Sequence, residues 1–274
     1  MQARRTKDGS DVPNVVVTGG SGGIGRAVVA HYLRAGACVV NLDRSAPEPD
    51  SPAAAAAYVE CDFAEADSIR RAFASVDSIF DGNAPGLLVC AAAIGMTHHF
   101  FEVRPQDIDL VLGVNVKGTL ITAQEAARRM RSRNVGGHIV IITSVSATQA
   151  WAQEPLYCVS KAAQMSIVQT LAIELAPFGI LVNGIGPGVI DVQSHGMSGN
   201  RAHPEIEQHY LDRIPLRRMG TPEEVALTID YLGKVTYMTG QTVYMDGGLL
   251  ANGLAYINPI RQKVLNRLQD YGLP

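Results

Sequence analysis

Seven short, nearly continuous apolar runs separated by longer stretches of helical spacing constrain this chain more than any other feature. The runs fall at residues 15–17, 38–42, 57–59, 87–90, 138–143, 181–185 and 242–245, and they are rich in Val and Ile. A strand that is apolar at consecutive positions is covered on both faces, which is the pattern of a parallel sheet rather than of a sheet with one wet side. Between the runs, residues 25–35, 68–79, 106–133, 156–177 and 222–232 place apolar side chains at three- and four-residue intervals, the period of a helix with one buried face. Gly36 and Gly179 stand where helix C-terminal caps belong. Strand and helix in strict alternation build right-handed crossover units. The pattern predicts an α/β fold with a doubly wound, parallel, seven-stranded sheet and helices on both faces.

No interior linker breaks the alternation. Residues 14–249 are read as a single domain, residues 1–13 as a polar, flexible tail and residues 46–56 as a surface loop. Residues 250–274 form an extension with a helix over 260–271, whose stripe of Val264, Leu265 and Leu268 needs a partner surface. With 274 residues and 47% hydrophobic content, the chain can bury a substantial core. A net charge of −3 with no basic run gives nucleic-acid binding no electrostatic support. No apolar run reaches the roughly 18 residues that would span a bilayer, and residues 1–14 do not read as a signal peptide, so a cytoplasmic protein is expected. Cys38, Cys61, Cys90 and Cys158 have no ligand or pairing spacing and read as reduced thiols. His98, His99, His195, His203 and His209 fit no zinc pattern, so no metal is expected.

The first run leads through Thr18, Gly19, Gly20, Ser21, Gly22, Gly23, Ile24 and Gly25 directly into the first helix. Glycines between a first strand and a first helix permit a tight turn and close approach of backbone to a pyrophosphate, which the helix N-terminus then stabilises. This makes the sheet Rossmann-like and predicts a dinucleotide. Asp43 ends the second run, 18 residues beyond Gly25. A carboxylate there accepts hydrogen bonds from ribose hydroxyls and repels a 2′-phosphate. Gly22 supplies no positive charge inside the turn. Arg44 could reach a 2′-phosphate, but beside Asp43 it is read as a side chain near the adenine. NAD is therefore expected over NADP.

A second constellation points to proton transfer. Tyr157 and Lys161 are four residues apart in a helical stretch and share a face, with Ser144 thirteen positions upstream at the end of a strand. A phenol and an ammonium are poor catalysts alone at neutral pH, whereas an adjacent ammonium favours the phenolate. A Ser hydroxyl beside them could share the oxygen of an alcohol or a ketone.

These residues, with others in order along the chain, resemble the short-chain dehydrogenases/reductases in their single-domain form. The matching pieces are Thr18-Gly19 with Gly23-Ile24-Gly25; Asp43; Cys61-Asp62-Phe63; Val114-Asn115-Val116; Ser144, Tyr157 and Lys161; Pro187-Gly188; and Met245-Asp246-Gly247-Gly248. The resemblance implies that Asp62 lies by the adenine amino group, with Cys61 and Phe63 beside it. It implies that backbone from Pro187 through Gly188 to Ile190 meets the nicotinamide carboxamide. Tyr157 would be the general acid/base, Lys161 would bind the nicotinamide ribose and lower the Tyr157 pKa, and Ser144 would orient the substrate oxygen. Asn115 would hold a structural water linking Lys161 to solvent. Two departures stand out. Where the family has Asn-Asn-Ala-Gly, this chain has Cys90, Ala91, Ala92 and Ala93; after Pro-Gly, the usual Thr is replaced by Asp191-Val192.

Substrate walls are expected from the loops after the strands, with Met96, Trp151, Gln153 and His195 as contacts alongside Ser144 and Tyr157; for Trp151, simple packing of its loop is an equal alternative. A polar segment over residues 192–215 resembles a lid. The resemblance also implies a homotetramer or homodimer assembled through the long helices. The expected function is NAD-dependent interconversion of a small secondary alcohol, such as a sugar or polyol, with its ketone. Alternatives are an NADP-preferring ketone reductase, an epimerase or dehydratase using bound NAD, and a nucleotide-sensing protein without turnover.

Overall fold

The computed structural model describes residues 13–192, 208 and 211–252. The N-terminal tail up to residue 12, most of the expected lid, and the extension from residue 253 with its expected helix lie outside the described residues, as does His195.

Seven strands form one parallel sheet: β1 (Val15–Thr18), β2 (Val39–Asp43), β3 (Ala57–Glu60), β4 (Leu87–Cys90), β5 (Gly137–Ile142), β6 (Ile180–Pro187) and β7 (Thr242–Met245), in the spatial order β3-β2-β1-β4-β5-β6-β7. The order reverses between β1 and β4, so the chain leaves these two neighbours in opposite directions and opens a crevice beyond their carboxyl ends. The helices are α1 (Gly23–Arg34), α2 (Ala66–Ile79), α3 (Pro105–Leu112), α4 (Thr119–Ser132), α5 (Pro155–Leu175) and α6 (Pro222–Leu232).

The strands' two-residue alternation divides the core between the sheet's faces. Val16, Leu88, Ile139 and Ile141 pack with Phe73 of α2, Met130 of α4 and Val168 of α5. Val15, Val17, Val89 and Val140 pack with Val28 of α1 and Ile229 of α6. Most of these side chains are fully buried, at about 25 cal/mol per Å² of apolar surface removed from water. Burial on both faces is why the strands read as continuous apolar runs.

One expected element is divided. The stretch read as a single helix over residues 106–133 is α3, a π-helical segment (Gly113–Gly118) and α4 in succession. The widened turn carries Asn115, whose side-chain Oδ1 accepts from Ile94 N at 2.9 Å and whose Nδ2 donates to Ile94 O at 2.8 Å. That two-way bond ties the helix to the loop after β4. π segments of this kind concentrate at functional sites, and simple periodicity does not reveal the added residue.

Candidate active site

A cleft of about 650 Å³ runs across the carboxyl ends of the central strands, from the glycine turn at one end to Tyr157 and Lys161 at the other. Of the expected nucleotide residues, Gly19, Ser21, Gly22, Gly23, Ile24, Gly25, Asp43, Arg44, Asp62, Phe63, Ala91, Ala92, Tyr157, Lys161, Pro187, Gly188 and Ile190 line it. Thr18, Cys61 and Cys90 do not; they are buried beneath the wall. Ser45, Glu48, Ile94 and Thr143 also line the cleft and carry no motif that would have marked them; Val114, from the motif around Asn115, and Val192, at the start of the expected lid, line it too.

The glycine turn is built for close approach. Gly19 sits at φ 68°, and a Cβ there would come within 2.8 Å of Ala92 Cα. A Cβ on Gly25 would come within 2.1 Å of Gly19 O, so α1 starts against the turn only because both residues are glycine. Asn41, a fully buried polar residue in β2, donates from Nδ2 to Ser21 Oγ at 3.0 Å and braces the turn from below. The polar break in an apolar strand was the available sequence signal for Asn41.

The N-terminus of α1 is uncapped: Gly22 supplies no side chain, and the first helical turn carries no acidic residue. Backbone N–H groups left without a cap and without an acidic residue in the first turn form a site for an anion such as a pyrophosphate. At the rim, Asp43 Oδ2 accepts from Ser21 N at 3.0 Å and Oδ1 accepts from Ser45 N at 3.1 Å. The carboxylate is thus fixed between the turn and β2, while Arg44 is exposed. These residues fit a dinucleotide.

The wall after β4 is held from the neighbouring strand. Thr18 Oγ1 accepts from both Ala91 N and Ala92 N at 3.0 Å, tying β1 to the loop. Small side chains then leave the cleft open over Ala91 and Ala92.

At the far end, β5 delivers Ser144 two residues past Ile142, in extended backbone. Its Oγ accepts from Ser146 N and donates to Ser146 Oγ, both at 3.1 Å. Pro155 opens α5 at a position where the missing N–H costs nothing. Tyr157 follows in the first turn and Lys161 one turn later. The Tyr157 phenol is hydrogen-bonded with Ser144, which lowers its pKa, but burial dominates and pushes it up to about 12; the nearby Glu154 adds to the rise. Lys161 is 2% exposed, and burial lowers its pKa to about 7. Its Nζ lies 5.4 Å from the centroid of the Tyr157 ring. A shared dry environment drives both groups towards their neutral forms.

Lys161 Nζ donates to Ile142 O and to Gln164 Oε1, each at 2.8 Å. Gln164 Nε2 in turn donates to Asn115 O at 2.8 Å and to Thr119 Oγ1 at 3.0 Å. The side chain of Gln164 thus connects Lys161 to Asn115 directly, where the resemblance implies a water held by Asn115. Asn115 does not line the cleft; its Nδ2 also donates to Ser160 Oγ at 2.9 Å.

Met96, Trp151 and Gln153 do not line the cleft. Trp151 packs with Val145, Val189, Ile214 and Leu249 in a small apolar cluster. Gln153 is exposed in the left-handed region at φ 65°, its carbonyl accepting from His98 N at 2.9 Å. Among the described residues, no group of His, Cys, Asp or Glu could hold a metal ion, and no helix is long and apolar enough to cross a membrane.

A family profile described as enoyl-(acyl carrier protein) reductase matches residues 19–250. The chain belongs to the short-chain dehydrogenases/reductases, NAD(P)-dependent oxidoreductases. The L-rhamnose 1-dehydrogenase (NAD(P)+) of Azotobacter vinelandii is 34% identical over 254 residues, covering 87% of this chain and 96% of that protein. The 3-oxoacyl-acyl-carrier-protein reductase of Aquifex aeolicus is 32% identical over 244 residues, covering 85% and 96%. Among solved structures, an Agrobacterium tumefaciens protein provisionally assigned as a 2-deoxy-D-gluconate 3-dehydrogenase, with bound NADP, superposes with a TM-score of 0.77 at 29% identity and covers 87% of this chain and 96% of its own.

Proposed function

We propose that the protein oxidises a secondary alcohol of a small sugar or polyol to the ketone, and runs the reverse reduction, with NAD as the preferred cofactor. The observation that carries the chemistry is the meeting of Ser144, Tyr157 and Lys161 at one end of a cleft whose other end is an uncapped glycine turn. The nicotinamide, when bound, accepts or gives the hydride. The chain's own residues hold the reacting oxygen and move its proton. The Ser144 hydroxyl fixes the substrate oxygen beside the phenol, and the Tyr157 Oη takes the alcohol's proton or returns it to the ketone. Lys161, when charged, favours the phenolate and offers its remaining N–H to the cleft. Met96, Trp151, Gln153 and His195 remain the candidate substrate contacts.

The preference for NAD rests on Asp43, whose fixed carboxylate would repel a 2′-phosphate, and on the absence of a cation at Gly22. The sugar class is supported by the likeness to L-rhamnose 1-dehydrogenase. The similarity to a 3-oxoacyl reductase supports a second reading, reduction of a 3-oxoacyl thioester. Assembly into a homodimer or homotetramer is supported by exposed apolar residues on the long helices, among them Val159 and Ile173 of α5. The four free cysteines, three of them buried, support a reducing, cytoplasmic setting.

The test is a turnover screen over L-rhamnose, other aldoses and polyols, with acetoacetyl-coenzyme A as the thioester, each with NAD(H) and NADP(H). Sugar oxidation favouring NAD is expected, and thioester reduction alone would replace this reading with the second. Tyr157→Phe should lower kcat/KM about 10²- to 10⁴-fold while leaving NADH binding, read by fluorescence, intact.

A further inference from the structure

Gln164 is 1% exposed, yet every polar atom of its side chain is bonded. Its carbonyl oxygen receives an N–H of the Lys161 ammonium, and its amide nitrogen donates to the Asn115 carbonyl and the Thr119 hydroxyl. The direction of the amide follows from its neighbours. Lys161 has only hydrogens to give and the Asn115 carbonyl only lone pairs, so a flipped amide would set N–H against N–H and oxygen against oxygen. The anchor is itself fixed, because the Thr119 hydroxyl donates to the same Asn115 carbonyl at 2.7 Å and the Asn115 side chain is locked to Ile94. This chain of bonds crosses from α5 to the π segment and ends at backbone.

Building on the oxidoreductase reading, we propose that Gln164 is a positioning residue that holds Lys161 in place and charged, through a direct strut to the Asn115 carbonyl. Ile142 O and Gln164 Oε1 take two of the ammonium's three N–H groups and leave the third for the cleft. An amide neither gains nor loses a proton near neutral pH, so the strut fixes the lysine without titrating beside it. The groups facing Lys161 are the Cys90 thiol from β4 and the Tyr157 phenol from its own helix, with Glu154 and Cys158 facing that phenol. None supplies a carboxylate to the ammonium. Burial and the Cys90 thiol act on this lysine in opposite directions, and the neutral carbonyl oxygens of Ile142 and Gln164 are the groups that bond its protons.

The test titrates Lys161 by NMR of ¹³Cε-labelled lysine, with Lys161→Met identifying its signal among five lysines. In Gln164→Leu and Gln164→Met, the Lys161 pKa should fall by about one pH unit, as expected for loss of a hydrogen bond to a charged group. With a substrate that turns over, the pH profile of alcohol oxidation should move to higher pH in both variants, because a neutral lysine no longer favours the phenolate. The titration needs no substrate, so failure of the turnover screen leaves it standing. A Lys161 pKa unchanged in a folded variant would overturn the proposal. A protein that folds with neither replacement would do the same, by making Gln164 a residue of the fold alone.

Discussion

Lys161 shows how far one residue's chemistry depends on its surroundings. Its pKa in the folded protein is about 7 against an ordinary 10.5, a lowered value. Between these pH values the unfolded chain binds a proton that the folded chain does not, so stability rises with pH across this window; below about 7 both states are protonated and the burial cost is felt in full. Urea unfolding at pH 7 and about pH 8.5, below the range where buried thiols ionise, should show a rise that is smaller or absent in Lys161→Met. The proposed preference for NAD likewise turns on single residues. A Cβ at Gly22 meets nothing within 4 Å, and its backbone is extended, so a larger side chain is accommodated. Gly22→Arg should shift the NADP-to-NAD ratio of kcat/KM towards NADP by about tenfold, the worth of one charge-assisted hydrogen bond to a phosphate. An unchanged ratio would remove position 22 from the specificity argument. Tyr157, Lys161, Ser144 and Asp43 were legible in the sequence because their spacing is local or marks a strand end. Gln164 was not, since a Gln three residues after Lys161 acquires meaning only when Asn115 arrives from another helix.

Elements were legible in proportion to their regularity. The strands and α1, α2, α5 and α6 fall within a few residues of the stretches marked by periodicity. The π segment was missed because the signal lies in what Asn115 bonds to, not in the spacing of its apolar neighbours. α5 carries both kinds of information along one inner face: Ser160, Lys161 and Gln164 are buried near its start, and Ile167, Val168 and Ala172 are buried beyond them. The first turns serve the site and the later turns serve the core. α6 begins with a capping box, Thr221 Oγ1 accepting from Glu224 N at 3.2 Å and Glu224 Oε2 accepting from Thr221 N at 2.8 Å. Thr221→Ala should therefore cost about 1 kcal/mol in chemical denaturation, without changing the denaturant slope.

At the scale of the whole molecule, apolar side chains remain on the surface of the long helices. Ile173 is 78% exposed and Val159 58%, and on α6 Leu227 is 59% exposed and Tyr231 55%. Single exposed apolar residues are ordinary, but a set of them on a helix of each sheet face fits subunit contact. Ile173→Glu should shift sedimentation velocity towards a smaller species at micromolar concentration; an unchanged profile would remove this part of α5 from the proposed interface. The sequence by itself determined the alternation that makes a parallel sheet, the glycine turn at the end of its first strand, and the residue types proposed for proton transfer. Each of these is encoded over short separations, in periods of two and of three to four residues and in turns that tolerate only glycine. Only the tertiary structure decided that Thr18 braces the wall after β4, that Trp151 joins a packed cluster, and that Gln164 stands between Lys161 and Asn115. Those outcomes join residues tens of positions apart or depend on what is buried against what, and the energy of a buried polar contact exists only once water has been excluded from both partners.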